Sequence, residues 1–328
     1  MLERVVASAP TFARGWGALA IAQARALTGG GDTARKLGFT RARAFEVAET
    51  ALKLDPAMGI AYQALSYLQP YSRYLERSVL QRKALSVAPN DPQVLDLYAR
   101  FCFAGGRIEE ALDCVSRAFD LDPLNPEVAS EHAALLAASG RYEASLEFWD
   151  DALARWSEFH SMRLAATLWA GQHRDWPRFE RLAAELRAGG EQHPALSDSI
   201  GFLRQLRDVD PRYWAGVQER LRASVAESGT VRLDILTYLS AAGFTEQTFE
   251  LIGAASFNAQ SAGGFSLGIL FSPLSKDMIQ DIRFVALCAQ LGLCEFWVTT
   301  GQWPDCASEG VLPYDFKTEC RRLAAVNA

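Results

Sequence analysis

Apolar positions follow helical spacing through most of the chain, and nowhere do they alternate for long enough to argue a sheet. The clearest stretch runs from Asn125 to Trp156. Val128, His132, Leu135 and Leu136 share one helical face, Gly140 breaks the helix, and Tyr142, Leu146, Trp149 and Leu153 form the apolar stripe of a second. Small residues stand where the two helices must approach closely, Ala133 on the first and Ala152 on the second, because a larger side chain would push the axes apart. Ala99 and Ala118 take those parts one unit earlier. There Gly105-Gly106 supplies the turn and Pro123 the stop, since proline cannot continue a helix.

The unit repeats. Ala51-Leu52 leads to Pro56, Ala84-Leu85 to Pro89 and Ala118-Phe119 to Pro123, so the prolines are 33 and then 34 residues apart. Ala152-Leu153 follows 34 residues on, without its proline. A two-helix unit of that length cannot bury its apolar face alone, so copies must stack into a solenoid. Pro10 to Pro56 is 46 residues, 12 more than one period, and Thr28-Gly29-Gly30-Gly31-Asp32-Thr33 supplies the flexible material. Backbone amides at helix starts attract anions, but no strand precedes these glycines and no Gly-Lys-Ser/Thr follows. The stretch therefore reads as a plain loop, with Asp32 or Thr33 capping the next helix. Leu2 to Ala9 counts as the tail of a second helix whose partner is missing. Either the chain was cut or descended from something longer, or Leu2, Val5 and Val6 dock as a short lid on Trp16 and Leu19.

This pattern resembles the tetratricopeptide repeat (TPR) family. Its Ala-Leu-x-Leu-x-Pro tail is matched by Ala51, Leu52, Leu54 and Pro56, and again by Ala118, Leu121 and Pro123 with Phe119 in the Leu place; its early Trp is matched by Trp16. The departures are Ala20, Ala99 and Ala133 at the family's helix-packing glycine and Ser145 at a small position of the fourth repeat. The second repeat departs further, with Gln69-Pro70-Tyr71-Ser72 in place of a glycine turn and Arg77 where a small residue is expected. The resemblance implies an all-α, right-handed α-α superhelix of antiparallel helix pairs over residues 1–158.

Beyond Trp156 the period fades while helical character persists. Met162 to Gly171 and Trp176 to Ala188 can form a hairpin, Gly189-Gly190 marks a turn, and further helices follow through Ala254, so 159–260 reads as degenerate hairpins continuing the solenoid. Ser261-Ala262-Gly263-Gly264 is the best internal boundary, and 261–328 reads as a C-terminal helical cap. In that cap Phe284, Leu287, Leu291, Phe296 and Trp297 read as an amphipathic helix kinked at Gly292. Gly301-Gln302-Trp303-Pro304 reads as a turn whose Trp covers the solenoid's open end. Arg283-Phe284, Leu291-Gly292-Leu293, Phe296-Trp297 and Gly301 to Cys306 together resemble the closing segment of bacterial TPR proteins whose longer chains begin with a winged-helix or adenylate cyclase domain. That likeness implies a sensory or regulatory arm rather than a catalyst.

Composition narrows the partners. In 328 residues, 49% hydrophobic with 11% aromatic is ample for a core, and a net charge of −6 argues against a nucleic-acid surface. No signal segment opens the chain and no apolar run nears twenty residues, which suits a cytoplasmic location away from membranes. Cysteines at 102, 114, 288, 294, 306 and 320 are spaced irregularly for zinc and read as buried thiols; His132, His160, His173 and His193 each stand alone. No motif places a nucleophile, so no enzyme, metal site or cofactor is expected.

The family's groove-facing positions fall on Arg14, Arg25, Tyr62, Gln69, Asp96, Arg100, Phe103, Glu127 and Glu131, and these are the candidate partner-binding residues. TPR clamps for a terminal carboxylate carry several Lys and Asn there, and this groove has none. A basic-to-acidic lining with Tyr62 and Phe103 as aromatic anchors suits an extended peptide or partner helix; the same two residues can equally serve helix packing. Two functions stay open. One is a non-catalytic protein-interaction scaffold with an open groove, with self-association through the uncapped first half-repeat. The alternative is a small-molecule-sensing or enzymatic domain whose second half folds over the groove to enclose a pocket.

Overall fold

The computed structural model describes residues 1–28, 32–188, 194–257, 267–308 and 310–327. It is an all-α solenoid. A single helix, α1 (Leu2–Ser8), packs on the first repeat, α2 (Ala13–Thr28) and α4 (Arg41–Leu54), which the short α3 (Asp32–Leu37) interrupts. Antiparallel pairs follow: α5 (Gly59–Tyr67) with α6 (Tyr74–Val87), α7 (Pro92–Ala104) with α8 (Ile108–Leu121), and α9 (Pro126–Ala138) with α10 (Tyr142–Arg155). Then come α11 (His160–Gln172) with α12 (Trp176–Ala188), α13 (Pro194–Arg207) with α14 (Pro211–Ser228), and α15 (Leu233–Ala241) with α16 (Thr245–Ala254). The glycines expected to form the first insertion, their cap, Gly189-Gly190, His193 and the 261–264 boundary lie outside the described residues or their described side chains.

The helix-pair landmarks behave as their sizes dictate. Ala51, Ala84, Ala99, Ala118, Ala133 and Ala152 are all buried, each at a place where neighbouring helices meet. First helices begin at residues 59, 92, 126, 160 and 194, steps of 33, 34, 34 and 34. The period therefore does not fade at Trp156; only its sequence signature does. Two of these starts carry side-chain caps, Asp91 accepting from the Gln93 and Val94 amides and Asn125 from those of Glu127 and Val128, each followed by a proline at the first helical position; α5 and α11 start without one. Even the second repeat, without its turn glycine, forms a regular pair, and Val6 of α1 is buried in one cluster with Leu19, as a docked lid requires.

One turn position carries a measurable strain. Gly106, Gly140 and Gly243 adopt left-handed backbone at φ 74°, 81° and 93°, and in the fifth repeat the same place is held by the exposed Arg174 at φ 60°. A side chain there costs about 1–2 kcal/mol, while glycine would loosen the unfolded chain by about 0.4–1 kcal/mol. Arg174→Gly should therefore stabilise by about 0.5 kcal/mol or slightly more, read as a raised urea midpoint with unchanged slope. A lower midpoint would show that the Arg174 side chain holds something glycine does not.

The C-terminal part packs both on α15 of the last pair and on earlier repeats. A 3₁₀ turn at Leu267–Phe271 lies between α7 and α15, fully buried, and a second at Pro273–Ser275 with α17 (Lys276–Ile279) continues along α15. The expected kinked helix is two helices, α18 (Arg283–Gln290) and α19 (Leu293–Thr300), because Gly292 turns left-handed at φ 72° between them. With α20 (Phe316–Asn327) they dock on the flank of the second and third repeats. Phe296 packs on Tyr74 at 5.0 Å between ring centroids, and Trp297 donates its Nε1 hydrogen to the Gly105 carbonyl at 3.1 Å. Asp305 accepts from the Ile108 and Glu109 amides at 2.7 and 3.1 Å, capping α8, whose own Arg107 supplies no side-chain cap. Trp303 is not the covering residue: it stays within the C-terminal unit beneath Lys317 and Arg321.

Candidate functional site

First helices of consecutive repeats line the concave face, and the 267–272 segment roofs part of it. Between them lies a cavity of about 570 Å³, walled by α2, the end of α5, the α5–α6 turn, α6, α7, α9, α11 and that segment. Its polar frame joins repeats that are distant in sequence. Arg25 Nη1 meets Glu127 Oε2 at 3.1 Å, linking α2 to α9 at the exposed rim. Deeper in, Arg100 bonds Asp96 at 3.1 Å on its own helix and Glu131 at 2.8 Å on the next repeat. Burial pushes the Glu131 carboxyl up from its ordinary value while Arg100 pulls it back, and burial likewise raises the Tyr67 hydroxyl.

Of the nine positions expected to face the groove, Arg25, Arg100, Phe103, Glu127 and Glu131 line this cavity. Arg14, Tyr62, Gln69 and Asp96 do not. Arg14 is exposed away from it; Tyr62 donates to the Pro56 carbonyl with Lys83 over its ring; Gln69 turns back toward the Leu65 carbonyl. Asp96 is buried beneath Arg100 and serves to hold it. Phe103 is no free aromatic anchor, because its ring lies against Gly268 so tightly that a Cβ there would sit 2.4 Å away, and Trp169 packs beside it.

Several lining residues carry no groove signature in the sequence. Tyr67, Tyr71, Arg77, Gln81, Trp169, Gln172 and Ser272 all reach the cavity. Arg77 alone has a visible signal, a long charged side chain where a repeat of this kind wants a small one. The residues of 267–272 have none, since they come to the site only through the path of the chain.

No protein-family model matches this chain. No curated protein matches it either. Among solved structures, one titled "Functional Characterization of Pseudomonas Aeruginosa pilF" is similar at 21% identity and a TM-score of 0.41, covering 62% of this chain and 92% of that one. The TPR-like architecture described above therefore rests on the period, the paired helices and the buried alanines of this chain itself.

Other reactive groups are held quiet. Burial pushes the Cys114 thiol up to about 11 and Cys306 to about 12, and raises Cys288 well above its ordinary value, so none is disposed toward thiolate chemistry at neutral pH. Cys294 and Cys320 lie 3.5 Å apart, sulfur to sulfur, between α19 and α20. His132 sits between Phe119 and Phe148, and burial lowers its pKa. Among the described residues no group of three or more His, Cys, Asp or Glu is placed to hold a metal ion, and no helix is long and apolar enough to cross a membrane.

Proposed function

We propose that the chain is a non-catalytic sensory scaffold whose covered groove takes up a small molecule. The observation that carries this reading is the roof. An extended peptide running the concave face would meet Leu267–Phe271, which is buried between α7 and α15. What stays open is a cavity of about 570 Å³, the size of a small-ligand site, with aromatic walls and a few polar groups. A ligand there touches the repeats and the C-terminal segment together, so by mass action it would favour the docked arrangement over any looser one. The regulatory character implied by the resemblance of the closing segment to bacterial TPR proteins agrees with such a role.

The test is a ligand-observed NMR screen of small aromatic and aliphatic fragments against the protein and Ala134→Trp, which places an indole on the α9 wall of the cavity. Fragments that bind the first and not the second, with helicity by circular dichroism unchanged, support the reading. A screen without cavity-dependent binders sinks it. A second reading, a partner peptide gripped at the rim, is favoured by the exposed Arg25–Glu127 pair. Partner capture that fails with Glu127→Arg yet survives Ala134→Trp would select that reading instead.

A further inference from the structure

Among the described residues, the cavity lining holds one cation without a counter-ion. Arg77 on α6 is 7% exposed, and its Nε and Nη1 are buried with no hydrogen-bond partner. No carboxylate of the described residues lies within ion-pair distance of it, whereas Arg25 is taken by Glu127 and Arg100 by Asp96 and Glu131. Its guanidinium carbon stands 5.0 Å from the Tyr71 ring centroid, 5.5 Å from Tyr74 and 5.9 Å from Phe101. Stacking on aromatic faces returns only a modest stabilisation. Removing an ion from water costs more than that, so the rings offset only part of the penalty.

Two neutral groups share the same lining and the same want of partners. Gln81 Nε2 and Ser272 Oγ are buried without hydrogen bonds, the first on α6 one turn beyond Arg77, the second on the roof. Around them the walls are apolar: Phe101, Ala165, Leu168, Trp169, Leu267 and Ile269. A buried cation lining the same cavity as two donors without partners and a set of apolar side chains is complementary to an anionic head on an apolar body. Glu127 and Glu131 in the lining are matched by Arg25 and Arg100, so among the described residues Arg77 is the one lining cation left over, which suits a singly charged head rather than a phosphate.

Resting on the small-molecule reading above, we propose that the cavity binds a small organic carboxylate with an aromatic or aliphatic body, its carboxylate received by Arg77 with Gln81 and Ser272. The guanidinium is the specificity-determining group. Its present lack of a partner is the state the ligand relieves.

The experiment is isothermal titration at low ionic strength with phenylacetate and its neutral near-isostere phenylacetamide. The proteins are the unaltered chain, Arg77→Met, Arg77→Lys and Ala134→Trp. Phenylacetate is expected to bind the unaltered chain at least tenfold more tightly than phenylacetamide. Arg77→Met should abolish that preference, and Arg77→Lys, which keeps the charge, should retain it. Without ligand, Arg77→Met is expected to melt at a higher temperature, because an uncompensated buried charge is removed while the volume is kept. A lower melting temperature for Arg77→Met would make Arg77 a structural cation and overturn the proposal. So would equal binding of the two probes, or a preference that survives Arg77→Met or is lost in Arg77→Lys. The two readings fail separately: probes that bind equally and are both lost in Ala134→Trp leave the ligand cavity standing without its anion selectivity. Absence of any cavity-dependent binding removes both.

Discussion

Gly292→Ala should loosen the C-terminal unit from the repeats and cost about 3 kcal/mol or more. Two penalties add. The residue holds φ 72°, where a side chain costs about 1–2 kcal/mol. In addition, a Cβ there would stand 1.9 Å from the Ser72 carbonyl oxygen, a backbone atom that cannot swing away as a side chain would. Either the α5–α6 turn or the whole α18–α19 corner must move, and the packing of Phe296 on Tyr74 goes with it. Gly301→Ala is the internal control, since that residue has φ 69° and nothing within 4 Å of the added carbon. It should lose only the backbone term, about 1–2 kcal/mol. Chemical denaturation with amide exchange across α19 and α20 reads both. Equal losses in the two variants would mean that the Ser72 contact does not hold the unit in place.

Arg100→Leu should cost about 2–4 kcal/mol at neutral pH, because it leaves Asp96 and Glu131 facing each other with no cation between them. The pH dependence separates this from a plain packing defect. Glu131 already has a folded-state pKa above its ordinary value near 4.5, with burial the leading cause, and the loss of Arg100 raises it further. A carboxyl so shifted favours the fold when protonated; its contribution is fully present below the unfolded value and is lost as pH rises through the folded one. The gap between the variant and the unaltered chain should therefore be widest near pH 7–8 and narrow as pH falls toward about 4.5. A gap that stays constant over that range would place the loss in side-chain packing and not in the charges.

Part of the concave lining is legible in the amino-acid sequence itself. Arg25, Arg100, Glu127 and Glu131 follow from the groove-facing positions that the resemblance to the TPR family implies. The same mapping misplaces Tyr62 and Gln69, which lie in the one repeat whose turn departs from the pattern, and Arg14, on the repeat that carries the insertion. Phe103 falls where the period puts it but packs instead of anchoring a partner, since nothing in its own neighbourhood announces that Gly268 will press against it. Beyond Trp156 the proline-alanine signature disappears while the 34-residue step continues, because stacking needs an apolar stripe of the right width and not those particular residues.

The chain's own pattern decided the helices, their pairing and their stacking, because in a solenoid each contact of consequence joins neighbours a few tens of residues apart, within reach of periodicity and turn chemistry. Tertiary structure alone decided that the groove is roofed. Trp297 finds Gly105 across 192 residues, Asp305 caps a helix 197 residues away, and Leu267–Phe271 comes to rest between α7 and α15. Such meetings depend on the summed path of every intervening helix pair and on shape matching at the end of it, quantities to which no local spacing corresponds. The unpaired charge of Arg77 belongs to the same class: its identity stands in the sequence, but its isolation exists only where the roof, the turn and α7 converge.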